Sequence, residues 1–185
     1  MLQLCSDVIE PFLQQLGEHP TFQFLCQSQN SFEGWLKWEL AAFCKHKLLQ
    51  HSKPHEQLMG VEVRLQLKPS LSLGNQKLVD FWIAENPAAP ARYHYVELKV
   101  IFDNKNIGKM ARAAGRDWSC LTAIVPKEKP ASRGLLVLFL SAKTGDVEHL
   151  KHQIAVENTP RSQLPPPSMT TFAALNATAL YYERS

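Results

Sequence analysis

The stretch that decides the fold is QKLVDFWIAENPAAPARYHYVELKVIF, residues 76–102. It contains two runs rich in β-branched and aromatic residues, separated by a loop with two prolines, and each run predicts a strand. Side chains of a strand alternate between its two faces. In VELKV (96–100), Glu97 and Lys99 therefore lie together on the face opposite the apolar residues. A carboxylate and an amine are predicted side by side.

The segment before this stretch extends the sheet. Residues 60–67 read GVEVRLQL, where apolar and polar residues alternate at the two-residue period of a half-buried strand. A turn signal, Gly74-Asn75, separates this strand from the next one. The three consecutive strands are expected to pair as a meander.

Helices are predicted on both sides of the three strands. Apolar residues recur at helical spacing in four segments, 3–16, 30–49, 103–121 and 146–156. In the second of these, Asn30 is the expected N-cap and Glu33 its capping-box partner. GLLVLFLSA (134–142) is apolar throughout, which is typical of a central strand covered on both faces, and ALYYE (179–183) predicts a short final strand. The order predicts an α/β domain with a mixed central sheet flanked by helices.

Composition restricts the class of protein. The chain has 185 residues, 45% apolar and 20% charged, which suits one globular domain with its own core. Its four cysteines have no metal-binding or disulfide-framework spacing, so we expect a reducing, cytoplasmic setting. Asp7 lies where a signal peptide would be basic and then apolar, and the longest apolar run, 135–140, is too short for a bilayer. We expect no membrane association.

A second acid is expected to approach Glu97. Val79, Phe81 and Ile83 are predicted to share one face of their strand, which places Asp80 on the other face. If the two strands pair, Asp80 and Glu97 can bind one hard cation such as Mg²⁺, which takes one or two carboxylates and completes its shell with water and phosphate. Such a metal would polarise a phosphate and activate a water molecule. Lys99 would position or deprotonate that water, or offset charge on the phosphate oxygens.

These residues resemble the motif of the PD-(D/E)XK nucleases. LVD (78–80) and VELK (96–99) match its acid, variable gap and acid-x-lysine, here with sixteen residues between the acids, although Val79 replaces the usual proline. The resemblance implies a restriction-endonuclease-like αβββαβ core over about residues 30–141, with an N-terminal helix in 1–29 and a C-terminal extension, 142–185. It also implies a nuclease that uses Mg²⁺ or Mn²⁺, with Asp80 and Glu97 as metal ligands and Lys99 as the catalytic lysine.

Many members of that family carry a further glutamate on the helix before the first strand. Two candidates exist here, Glu33 and Glu39. We choose Glu39 as a catalytic and metal-binding residue, because its neighbours three and four positions away are apolar and an unpaired charge among them would be costly. Glu33 already has the predicted capping role.

The helix after VELK predicts a nucleic-acid contact. Lys105, Lys109, Arg112 and Arg116 follow one another at steps of four, three and four, which forms a basic stripe. The stripe is expected to bind phosphates of DNA, although a solvated helix face would show the same pattern. The net charge of +3 permits such a partner without requiring one. A homodimer or a partner protein would have to supply sequence specificity.

Two functions therefore remain open. The first is a metal-dependent nuclease that hydrolyses phosphodiester bonds, with DNA as the expected substrate. The second is a non-catalytic interaction or nucleic-acid-binding protein on the same fold, since a fold does not fix a function. A nucleotide-using enzyme is disfavoured, because the sequence has neither GxxxxGK nor GxGxxG.

Overall fold

The computed structural model describes residues 1–28, 31–47, 58–69, 74–103, 106–140, 146–156 and 163–185. A π-helical segment, Leu4–Ile9, leads into α1 (Glu10–Gly17), which is followed by α2 (Pro20–Ser28), α3 (Glu33–Lys47), α4 (Ile107–Thr122) and α5 (Asp146–Val156). The strands are β1 (Met59–Gln66), β2 (Gln76–Ala84), β3 (Tyr93–Phe102), β4 (Pro130–Leu140), β5 (Ser168–Phe172) and β6 (Ala177–Arg184). Among these residues no helix is long and apolar enough to cross a membrane.

The strands form one six-stranded sheet in the order β1-β2-β3-β4-β6-β5. β1, β2 and β3 pair as the predicted antiparallel meander, and β3 and β4 are the parallel pair connected through α4. β6 inserts between β4 and β5, so the C-terminal extension completes the sheet. The predicted mixed α/β domain is confirmed at this level. β5, which is short and half exposed, was not predicted.

Helices cover both faces of the sheet. The N-terminal segments and α3 pack on one face against alternate residues of β3 and β4, such as Leu98 and Leu136. α4 and α5 pack on the other face around Trp118, which is fully buried and contacts the intervening residues of the same strands. The helix predicted over 3–16 is present, but α2 is an additional helix that begins at Pro20, a favoured first helical residue.

The β1-β2 hairpin changes the face that it buries, which corrects the prediction that Val79, Phe81 and Ile83 share one face. Phe81 packs against the N-terminal helices, whereas Val79 packs against α4. The pairing passes from Val61–Phe81 directly to Val63–Val79. Glu62 lies between Val61 and Val63 with a left-handed φ of 58°, and Asp80 lies between their partners on β2. β2 pairs with β3 only from Phe81 to Ala84, so the part of the hairpin before Phe81 is not paired with β3.

Gly134 of β4 is a place where the sheet admits no side chain. A Cβ at this position would lie 2.5 Å from the hydroxyl of Tyr181 on β6, whereas a Cβ at Gly34 on α3 would meet no atom within 4 Å. We therefore expect Gly134→Ala to reduce the free energy of unfolding by about 1–3 kcal/mol through overpacking. Gly34→Ala is the matched control and should be neutral or stabilise by up to about 1 kcal/mol. Urea unfolding of both variants tests this, and equal effects would contradict it.

Candidate functional site

The candidate site lies where β2 and β3 separate. Their pairing extends from Ala84–Tyr93 to Phe81–Val96 and stops there, while β3 continues to Phe102 beside β4. Beyond Val96, two carboxylates take the place of the missing strand. Asp80 Oδ2 accepts the Leu98 N–H at 3.0 Å, and Glu33 Oε2 accepts the Val100 N–H at 3.3 Å. The sheet thus has a gap lined by acids.

Asp80 and Glu97 face each other in this gap and share a hydrogen bond between their carboxyl groups. Glu97 is only 3% exposed, and this burial, together with the neighbouring Asp80, raises the pKa of Glu97 to about 9. Burial alone would raise the pKa of Asp80 as well. Hydrogen bonds from Glu97 and the Leu98 N–H, with the charge of Lys37, outweigh burial and lower the pKa of Asp80. Glu97 is therefore the protonated partner and Asp80 the ionised one.

Each carboxyl group of this pair is contacted by one lysine. Lys37 on α3 places its Nζ 3.2 Å from Asp80 Oδ1 and 2.8 Å from Glu62 Oε1. Lys77 on β2 places its Nζ 3.0 Å from Glu97 Oε1 and 2.6 Å from Asp117 Oδ1. Each lysine is thus shared between one carboxylate of the central pair and one carboxylate outside it.

Lys99 occupies the same gap and is held by two other acids. Its Nζ lies 3.3 Å from Glu33 Oε1 and 3.3 Å from Asp117 Oδ2. Burial would lower the pKa of Lys99, but the charges of Asp117 and Glu33 outweigh it and raise the pKa above the ordinary value. Lys99 is therefore an ammonium ion near neutral pH. Asp117 connects it to Lys77.

The cluster carries more acids than bases. Its acids are Glu33, Glu62, Asp80, Glu97 and Asp117, and its bases are Lys37, Lys77 and Lys99. Five carboxyl groups against three ammonium groups leave one negative charge while Glu97 holds its proton, and two when every group is ionised. One divalent cation has the charge that would neutralise the cluster.

Asp80 and Glu97 have the chemistry that a hard cation requires. Glu97 Oε1 is buried and accepts no hydrogen bond of normal geometry, although Lys77 Nζ is close, so this oxygen has coordination capacity left. Within the part of the chain that the structure describes, no group of three or more His, Cys, Asp or Glu side chains is arranged to hold a metal. A cation here would have two carboxylate ligands and complete its shell with water, which is the usual arrangement for Mg²⁺.

The structure brings together three of the four predicted site residues. Asp80 and Glu97 are in direct contact, and Lys99 lies in the same gap. Glu39, the fourth, is half-buried, and its side chain makes no hydrogen bond or ion pair with the described residues. The carboxylate that reaches β3 from α3 is Glu33, and its predicted capping role stays a prediction. The predicted cap, Asn30, is outside the described residues.

Three further members of the cluster were not predicted as site residues: Lys37, Lys77 and Asp117. One signal for Lys37 was available, because it lies four residues after Glu33 and thus on the same helical face, among apolar residues. Asp117 lies between the apolar and the basic faces of α4. The sequence gave no indication that Lys77 belongs to the site, because a lysine near the end of a strand is common and is usually exposed.

The basic stripe on α4 is described in part. Lys109, Arg112 and Arg116 are exposed, and Lys105 is outside the described residues. Arg116 is followed directly by Asp117, whose carboxylate holds Lys77 and Lys99. The C-terminal end of the stripe is therefore adjacent in sequence to a residue of the gap.

Glu97 should make folding stability depend on pH. Its pKa rises from an ordinary value of 4.5 to about 9 on folding, so its contribution is fully present below pH 4.5 and is lost as the pH rises toward 9. Glu97→Gln cannot ionise but can still donate a hydrogen bond to Asp80. Between pH 5 and pH 8.5 the free energy of unfolding should fall in both proteins. We expect the fall to be smaller in Glu97→Gln than in the wild type by at least about 1 kcal/mol.

Urea unfolding at the two pH values measures this difference. Glu85→Gln is the matched control, because Glu85 is a partly buried carboxylate that directly follows β2, at the end of the β2–β3 pairing away from the gap. Its Oε1 lies 3.7 Å from Arg92 Nη1. The control should keep the pH dependence of the wild type. If Glu97→Gln kept it too, Glu97 would not hold a proton in the folded protein.

The sequence matches no protein-family model, and no curated protein or solved structure is significantly similar to the chain. The resemblance to PD-(D/E)XK nucleases therefore depends on the motif residues and on the order of the elements. Function has to be argued from the chemistry of the gap.

Proposed function

We propose that the protein is a metal-dependent nuclease that hydrolyses phosphodiester bonds, with DNA as its expected substrate. The observation that carries the proposal is the contact between the buried Glu97 and the partly buried Asp80 in a gap of the sheet, with Lys99 in the same gap. Two carboxyl groups in contact, one of them buried, are costly in a site that serves only stability. They are useful where a cation has to be bound.

In this proposal, Asp80 and Glu97 would hold Mg²⁺ or Mn²⁺, which would supply Lewis-acid polarisation of a phosphate and lower the pKa of a water molecule. Lys99, an ammonium ion in the same gap, offsets the negative charge that develops on the phosphate oxygens. Glu33 and Asp117 hold the Lys99 ammonium from two sides at 3.3 Å and so fix its position. The restriction-endonuclease-like core belongs to this proposal.

The basic stripe of α4 supports a nucleic acid as the substrate. Lys109 and Arg116 are exposed on the helix that also carries Asp117 into the gap. A polyanion bound along this helix would present a phosphate to Lys99. Phosphate contacts of this kind position a nucleic acid without reading its sequence.

One observation favours the alternative, a non-catalytic interaction protein. Every lysine of the cluster is within 3.3 Å of carboxylates, so the ions form a network that is largely compensated without any ligand. A network of this kind would also be expected in a protein where its single role is to provide acceptors for the backbone N–H groups of Leu98 and Val100. The two functions differ in whether the protein cleaves nucleic acid.

Cleavage of linear and circular DNA, single- and double-stranded, and of RNA with Mg²⁺ or Mn²⁺ tests the proposal. We expect metal-dependent hydrolysis by the wild-type protein. Asp80→Asn, Glu97→Gln and Lys99→Met should each reduce the rate by about 100-fold or more, the usual effect of removing a group that stabilises the transition state. Glu33→Gln should reduce it more than Glu39→Gln, since only Glu33 contacts Lys99.

Two ion-paired residues away from the gap serve as controls. Glu85→Gln matches Asp80→Asn in burial, and Lys151→Met removes a lysine paired with Glu148 on α5. Both should retain full activity. Hydrolysis that survived in all three site variants would come from a contaminant, and no hydrolysis of any substrate by the wild type would favour the interaction protein.

The stripe can be tested separately through the salt dependence of DNA binding. Each lost phosphate contact reduces the slope of log K against log salt concentration by about 0.9, so Lys109→Gln with Arg116→Gln should reduce it by about 2. Fluorescence anisotropy at several salt concentrations measures the slope. Lys151→Gln on α5 is the control, and an unchanged slope in the double variant would identify the stripe as a solvated face.

A further inference from the structure

Lys37 and Lys77 have no role in the proposed reaction, yet they make the closest cation contacts to Asp80 and Glu97. Lys37 is buried although it is a lysine, and its Nζ lies between Asp80 and Glu62. Lys77 lies in the same way between Glu97 and Asp117. Each lysine therefore has one partner inside the central pair and a second partner outside it.

We propose that Lys37 and Lys77 are exchangeable counter-ions of the Asp80–Glu97 pair. Without a divalent cation, Lys37 neutralises Asp80, and Lys77 lies against Glu97, which holds a proton. When a cation binds there, Glu97 releases its proton to the solvent, and each lysine keeps only its outer acid and becomes able to bind a phosphate of the substrate. The inference deepens the proposed function and depends on it for the identity of the anion.

The distances favour exchange over a fixed salt bridge. In both cases the outer acid is the closer partner, at 2.8 Å for Glu62 and 2.6 Å for Asp117, against 3.2 Å for Asp80 and 3.0 Å for Glu97. A lysine can therefore give up its inner contact without being left as an unpaired buried charge. The buried Glu97 Oε1, which accepts no regular hydrogen bond, is the atom that gains most from a better partner.

Lys99 provides the matched comparison. It belongs to the same cluster, but its ion pairs are with Glu33 and Asp117 and not with either carboxylate of the central pair. Removing any of the three charges would favour a cation through long-range electrostatics. Only the removal of Lys37 or Lys77 would also remove a direct competitor for the ligand oxygens.

Isothermal titration calorimetry with Mg²⁺ alone tests this point. Lys37→Met and Lys77→Met should bind Mg²⁺ at least about fivefold more tightly than the wild type, the lower end of typical coupling between sites. Lys99→Met should show a smaller gain. Weaker or unchanged binding in the first two variants, an equal gain in Lys99→Met, or no binding by any of the proteins would each overturn the proposal.

A double-mutant cycle separates exchange from simple charge effects and does not need cleavage. Glu62 is 57% exposed, so Glu62→Gln should leave the fold intact. With its outer acid gone, Lys37 stays on Asp80, and we expect weaker Mg²⁺ binding. In the Lys37→Met background the same change should have little effect. An equal effect in both backgrounds would mean that Glu62 acts on the cation through its charge alone, and exchange would be excluded.

The last measurement concerns the anion. Inorganic phosphate should bind the Mg²⁺-loaded wild type more tightly than it binds Lys37→Met or Lys77→Met, and it should not distinguish these proteins when Mg²⁺ is absent. Equal phosphate affinities of the loaded proteins would overturn the second half of the proposal. If exchange is observed and no nucleic acid is cleaved, the lysine exchange stands and the nuclease proposal fails.

Discussion

Two backbone N–H groups of β3, those of Leu98 and Val100, impose the constraint on which the site depends. β3 is an inner strand, but β2 stops pairing with it at Val96 and supplies no carbonyl groups beyond that point. A buried N–H without an acceptor costs about 1–3 kcal/mol. Asp80 and Glu33 accept these two bonds, and because both acceptors are acids, each requires cations nearby. The lysines of the gap satisfy this second requirement.

Charge in the gap is balanced locally and incompletely. Lys37, Lys77 and Lys99 come from α3, β2 and β3, so three separate elements must pack correctly before the acids are compensated. Buried ion pairs of this kind contribute little net stability, since desolvation offsets much of the attraction. The cluster is expensive to bury and has two acids more than bases, and this excess is one reason for proposing a cation there.

Local patterns predicted most of the architecture. The meander, α4 and the buried strand β4 each have a strong period or a continuous apolar run, and their existence follows from burial of one face or both. The face change at Asp80 could not be predicted in this way. Val79 and Phe81 have the spacing of residues on one face, and the distortion at Glu62 that separates them has no sequence signal such as a glycine.

The sequence by itself determined that Glu97 and Lys99 share a face of one strand, because strand alternation is a local property of the backbone. It also determined that an acid, Asp80, lies on the preceding strand. Only the tertiary structure decided which other residues reach the gap. Glu33 rather than Glu39 contacts β3, because the rotation of α3 against the sheet is set by packing of its apolar face. Lys37, Lys77 and Asp117 join them because ion pairs between distant elements depend on how those elements pack, which no local pattern records.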